Sequence, residues 1–224
     1  TGASQGLGAA VAVELARLGA HPVIVARTQG GLEETDDRIR AVGGEASLLP
    51  LDLADADSID AIGPSIFARF GRLDILVHAA GALGAVTPVP HIMPREWDAA
   101  VAVNMAAVWR LIRCTDRLLR AAPAGRAVFV TDGRARAPKA YWGLYGATKA
   151  GMEYLARAWA DEAANSPLRV NLFDPGPMAT ALRRTAFPGA SQDALPSPDR
   201  VAPALAALCL PSETRTGALV AAGT

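Results

Sequence analysis

The chain has 224 residues, 51% hydrophobic and 20% charged, with Lys plus Arg and Asp plus Glu equal at 22 each. That composition excludes a disordered or collagen-like chain, and zero net charge leaves no basic excess to displace counterions from nucleic-acid phosphates. Two cysteines, Cys114 and Cys209, make no disulfide framework and point to a reducing compartment, while His21, His78 and His91 lack zinc-site spacing.

The opening Thr1-Gly2-Ala3-Ser4-Gln5-Gly6-Leu7-Gly8 is a small-residue turn leading into a predicted helix, Leu7–Leu18, which Gly19 ends. Val23–Ala26 reads as a buried strand, Gly31–Ala41 as a helix and Ala46–Leu51 as a second strand. Ser58–Phe70 reads as a helix closed by Gly71, Leu73–Val77 as a strand, and Arg95–Ala122 as a long helix with room to bend. Ala127–Val130 is the next strand, and the Arg134, Arg136 and Lys139 cluster after it reads as a solvated loop. The predicted helix Tyr145–Asn165 stops before Pro167, and Arg169–Phe173 is a strand. Pro175–Pro198 breaks the rhythm as a loop or lid before a helix at Pro198–Leu208 and a strand at Gly217–Ala221.

Continuous apolar runs suit a parallel sheet covered on both faces. The strand–helix alternation predicts right-handed crossovers and one doubly wound α/β domain over residues 1–224. No uncharged apolar run reaches the ~18 residues of a membrane helix. A dinucleotide-binding fold of this kind places a central strand before its glycine turn. None precedes Thr1, so upstream residues are expected to supply it.

Three local patterns carry chemistry. Glycines let the backbone approach a ligand, and the helix N-terminus that follows Gly2 to Gly8 suits a pyrophosphate. At the end of the next strand an acid often grips the adenosine ribose. Here Ala26 stands in that place and Arg27-Thr28 follow. A guanidinium there favours a 2′-phosphate, hence NADP over NAD, unless Arg27 is simply a surface residue. Tyr145 and Lys149 share a helix face at i and i+4, where an ammonium is expected to stabilise phenolate and ready the hydroxyl for proton transfer.

Taken together these residues resemble the classical short-chain dehydrogenase/reductase family over nearly the whole chain. The family pattern T-G-x-x-x-G-x-G matches Thr1 to Gly8, and its adenine-side acid matches Asp52 in Leu51-Asp52-Leu53. N-A-A-G becomes His78-Ala79-Ala80-Gly81, the helix asparagine matches Asn104, and Y-x-x-x-K is Tyr145 and Lys149. The Pro-Gly segment beside the nicotinamide matches Pro175-Gly176, followed by Met178 and Thr180. The resemblance implies a Rossmann-type sheet of seven strands and a cofactor site formed by these segments. It also implies a small-molecule carbonyl or alcohol substrate, a cytoplasmic location, and assembly as a homodimer or homotetramer, with no nucleic-acid or membrane partner. Tyr145 then acts as acid/base, Lys149 holds the ribose and keeps the tyrosine acidic, and Asn104 anchors a relay water.

One departure bears on activity. The family's catalytic serine lies thirteen positions before the tyrosine, which here is Asp132. An ionised carboxylate accepts hydrogen bonds and donates none, and it repels a nearby phenolate or alkoxide. Asp132 protonated in a dry pocket, Thr131 on a bulged strand end, or Asp132 paired with a cation on the substrate, Arg134 or Arg136 are the ways around this. The alternative is a cofactor-binding family member with impaired or lost reductase activity.

Residues 177–198 are the expected substrate loop, where Met178, Leu182 and Phe187 either line an apolar pocket or pack the loop, while Arg183 and Arg184 either pair with a substrate carboxylate or phosphate or, more simply, face solvent. Trp142, near Tyr145, is expected to shape the pocket.

Overall fold

In the computed structural model, which describes residues 1–223, the turn Thr1–Gln5 feeds helix α1 (Gly6–Arg17). The chain then runs through β1 (Val23–Ala26), α2 (Gln29–Ala41), β2 (Ser47–Pro50), α3 (Ala56–Asp60), α4 (Ile62–Phe70) and β3 (Ile75–His78). The expected Ser58–Phe70 helix starts earlier, where the Asp55 carboxylate caps α3 by accepting from the Asp57 and Ser58 N–H groups, and it is split at Ala61.

The expected long helix is also interrupted. Helix α5 (Pro94–Val101) passes through a π turn (Ala102–Ala106) into α6 (Ala107–Ala121). Such single-turn insertions re-aim one side chain and gather at functional sites, and here the turn carries Asn104. Then come β4 (Arg126–Val130), α7 (Gly143–Glu162), β5 (Arg169–Asp174), α8 (Ala181–Ala186), α9 (Pro198–Ala207) and β6 (Leu219–Ala221). Helix α8 falls inside the stretch expected as loop, nucleated where the Thr180 hydroxyl accepts from the Arg183 N–H at 3.1 Å.

All strand pairings among the described residues are parallel. β1 pairs with β2, and β3-β4-β5-β6 form the other group in that order. Between β1 and β3 lie Thr1–Ala3. The Thr1 nitrogen donates to Val77 O (2.8 Å), Ala79 N to Thr1 O (3.3 Å) and Ala3 N to Val25 O (3.2 Å). The described residues thus hold six strands where seven were expected.

The two sides of β4 explain its unbroken apolar run. Val128 and Val130 pack with Phe173 under α1 and α9, while Ala127 and Phe129 pack with Leu172 under α6 and α7. Side-chain alternation sends each set to its own helical layer. Among the described residues no helix is long and apolar enough to cross a membrane.

Candidate active site

A cleft of about 670 Å³ opens over the carboxyl edge of the strands, within the ~300–1,000 Å³ usual for ligand pockets. At one end stands the glycine turn. Gly2 has φ 69°, and a Cβ on it would lie 2.7 Å from the Ala80 nitrogen. A Cβ on Gly8 would lie 2.3 Å from the Gly2 carbonyl oxygen. The backbone is folded on itself too tightly for side chains. No side chain caps α1, so its first-turn N–H groups are free for an anion. Arg27 is exposed beyond β1 and takes part in none of the ion pairs or side-chain hydrogen bonds found among the described residues. Asp52 is exposed too, with Oδ1 accepting from Ala54 N at 2.9 Å.

At the other end α7 presents Tyr145 and Lys149, only 6% and 4% exposed. Lys149 Nζ donates to Val130 O at 2.9 Å and stands 6.0 Å from the centre of the Tyr145 ring. Burial holds Lys149 down to about 8, against the upward pull of Asp132 and Glu153. Tyr145 is pushed up, first by burial and then by the Asp132 and Asp174 charges. The expectation that the lysine acidifies the tyrosine is therefore overturned for the ligand-free protein. Desolvation and the Asp132 and Asp174 carboxylates set the direction, while the lysine ammonium is held by a carbonyl oxygen.

Asn104 is fully buried behind this pair. Its Oδ1 accepts from Ala82 N (2.8 Å), and its Nδ2 donates to Ala82 O (2.9 Å) and Thr148 Oγ1 (2.9 Å). The side chain thus clamps the turn after β3 to α7 and itself does not line the cleft. Gly81, in that turn, leaves 3.3 Å between a hypothetical Cβ and Lys149 Nζ.

Asp132 is half-buried at the cleft wall, its Oδ1 accepting from Arg134 N at 2.8 Å and so capping the short 3₁₀ turn Gly133–Ala135. Thr131 does not stand in for a serine, because its hydroxyl donates to Glu153 Oε1 at 2.6 Å. Neither arginine pairs with Asp132 through its guanidinium, contrary to one expectation. Arg136 bridges Glu153 and Asp174, and Arg134 lies 5.2 Å over the Trp142 ring. The supposed solvated loop is thereby tied down.

His78 also departs from its expected place. It is 0% exposed, with Nδ1 3.0 Å from Thr1 Oγ1 and Nε2 unpartnered, and burial lowers its pKa so that it stays neutral. It supports the sheet beneath the cleft and does not line it. The other segments expected to bind cofactor, Gly2 and Ser4 to Gly8, Arg27-Thr28, Asp52-Leu53, Ala79 to Gly81, Pro175-Gly176, Met178 and Thr180, all line it. So do Trp142, Leu182 and Phe187. Trp142 meets Tyr145 edge-on at 5.9 Å and Phe187 at 5.4 Å. Arg183, expected in solvent, lines the cleft 3.9 Å over the Phe187 ring. Ala82 and Val103 were missed. Small or apolar, they carry no chemical signal beyond adjacency to Gly81 and Asn104.

Sheet, helix layers and cleft define a Rossmann-type α/β enzyme. A family model described as short chain dehydrogenase matches residues 1–190. The uncharacterized oxidoreductase YciK of Escherichia coli (strain K12) is 32% identical over 206 residues, covering 91% of this chain and 81% of that protein. Among solved structures, a short chain dehydrogenase from Pseudomonas syringae superposes with a TM-score of 0.95 at 30% identity, covering 99% of this chain and 92% of the other. One from Escherichia coli CFT073 complexed with NADPH gives 0.94 at 31% identity, covering 100% and 94%. The chain belongs to the short-chain dehydrogenase family and is an oxidoreductase of the dehydrogenase/reductase type.

Proposed function

We propose that this oxidoreductase depends on NADP and moves a hydride between nicotinamide and a carbonyl or alcohol carbon, with Tyr145 as general acid/base. The observation that carries the reading is the meeting of the glycine turn and the buried Tyr145–Lys149 pair in one cleft. The NADPH held by the similar Escherichia coli structure supports the cofactor. The side-chain-free cradle at Gly2 and Gly8, with Arg27 unpaired among the described residues at its far end, fits a pyrophosphate and a 2′-phosphate.

When bound, the nicotinamide supplies the hydride. The chain's own residues do the rest. Tyr145 holds a proton at its hydroxyl throughout the ordinary pH range and yields it to the substrate oxygen. Lys149 carries its charge to the ribose from a site that Val130 O fixes. Asn104 is a positioning residue for Ala82. Its side-chain amide is committed to Ala82 and Thr148.

Asp132 favours a second reading, a cofactor-binding protein with impaired reductase activity, because no hydroxyl donor stands in its place. NADPH consumption against a panel of ketones and aldehydes decides between the two. Turnover that falls about 10²–10⁴-fold in Tyr145→Phe, with NADPH affinity preserved, supports the acid role. Unchanged turnover in that variant refutes it.

The free cysteines Cys114 and Cys209 support a cytoplasmic location. The exposed Trp97, Trp109 and Tyr154 on α5, α6 and α7 support a homo-oligomer built on these helices.

A further inference from the structure

Where a reacting carbonyl oxygen needs a hydrogen-bond donor, this cleft offers the Asp132 carboxylate. One of its oxygens is fixed by Arg134 N, and the other has no protein partner among the described residues. Nearby cations are engaged elsewhere. Lys149 is bonded to Val130 O, Arg136 to Glu153 and Asp174, Arg134 lies over Trp142 and Arg183 over Phe187. Asp174, the other carboxylate on the wall, already pairs with Arg136. Asp132 is therefore a half-buried carboxylate, oriented by Arg134 N and with no direct counter-ion among the described residues, in the same cleft as the aromatic wall of Tyr145, Trp142 and Phe187. The free oxygen of such a carboxylate is placed to accept a charge-assisted hydrogen bond from a cation brought by the ligand.

We propose that the substrate carries a protonated amine next to its reacting carbon, an amino ketone or amino alcohol, and that Asp132 is the residue that selects it. The ammonium donates one N–H to Asp132 and turns another toward the carbonyl oxygen, so the substrate brings the donor that the chain lacks. Its charge also offsets one of the carboxylates that hold Tyr145 protonated, which eases proton release from the phenol. Reduction adds a hydride at the carbonyl carbon and the Tyr145 proton at oxygen, gives an amino alcohol, and leaves the ammonium unchanged. The proposal rests on the hydride-transfer reading above for its chemistry, but not for its binding site.

Two measurements separate the two. In the NADP-bound enzyme, titration with 2-phenylethylamine and 2-phenylethanol should show the ammonium bound about tenfold tighter or more. Asp132→Asn, whose amide oxygen still caps the Arg134 N–H, should lose that preference. In turnover, α-aminoacetophenone should exceed its near-isostere propiophenone about tenfold in kcat/KM, and Asp132→Ser should reverse the order. Equal binding of amine and alcohol to the wild type, or a preference that survives in Asp132→Asn, overturns the proposal. If the amine preference holds but neither ketone is reduced, the cation site stands and hydride transfer to such ketones fails.

Discussion

At the glycine end of the cleft the chain works with backbone and empty space. Gly2 and Gly8 leave room, α1 leaves its N–H groups uncapped, and Arg27 and Asp52 wait in solvent. At the tyrosine end it works with buried charge. Lys149 and Glu153 are almost inaccessible, and Arg136 ties Glu153 to Asp174 across the base of the site. The first end pays in conformational freedom and tolerates no added atoms. The second costs desolvation, and its most buried charges, Lys149 and Glu153, each have a polar partner. Substitutions at the two ends should accordingly fail in different ways.

The largest stability effect is expected at the charged end. Arg136→Met leaves the Glu153 carboxylate, 8% exposed, without its main cation. Removing one partner of a fully buried pair costs ~3–5 kcal/mol, and since Arg136 itself is 33% exposed, screening reduces this to about 2 kcal/mol. Adding Glu153→Gln should recover most of the loss, because the Thr131 hydroxyl keeps its acceptor. Urea unfolding of the single and double variants checks this, and a double variant no better than the single breaks the charge argument.

At the backbone end, Gly8→Ala forces a methyl to 2.3 Å from the Gly2 oxygen, so the turn must shift. Overpacking of this kind costs ~1–3 kcal/mol. The distinguishing sign is that NADPH affinity should collapse by more than the stability loss explains, since the moved atoms are the ones that cradle the phosphate. Arg27→Ala should act more narrowly. NADPH binding weakens by about tenfold, as for one charge-assisted contact, while NADH binding and the unfolding midpoint stay put. Equal loss for both cofactors would make Arg27 a general contact rather than a phosphate reader.

The same contrast explains what the sequence made legible. A backbone cradle must be written in glycines at fixed spacing, so Gly2, Gly6 and Gly8 announce it, and the strand–helix rhythm announces the sheet beneath. Side chains announce only their types. Nothing in the order of residues says that Asn104 spends its amide on Ala82, that Arg136 reaches both Glu153 and Asp174, or that His78 turns under the sheet. Those partners are far apart in sequence and meet only once the strands and helices that carry them are packed. The tyrosine's acidity was misjudged for the same reason. A four-residue spacing reveals the neighbouring lysine, but not the burial and the two carboxylates that push the tyrosine up.

The smallest expected effects are titrations. Tyr145 is held protonated well past neutrality, so the alkaline limb of ketone reduction belongs to Lys149. Its cationic form is present below about 8 and lost as pH rises through that value, and the rate should fall with it. Stability moves the other way. Between about 8 and the ~10.4 of an unfolded lysine, the unfolded chain holds a proton that the native chain has released, so this group's contribution to stability rises with pH. Lys149→Met should remove that rise, seen as a smaller gain in stability from pH 7.5 to pH ~9.5 than in the wild type. Asp132 pulls both Lys149 and Tyr145 upward, so Asp132→Asn should move the alkaline limb to lower pH. A limb that stays fixed in Asp132→Asn would mean the carboxylate is too well solvated to act on the pair, and would weaken the contrast at the charged end where it is most local.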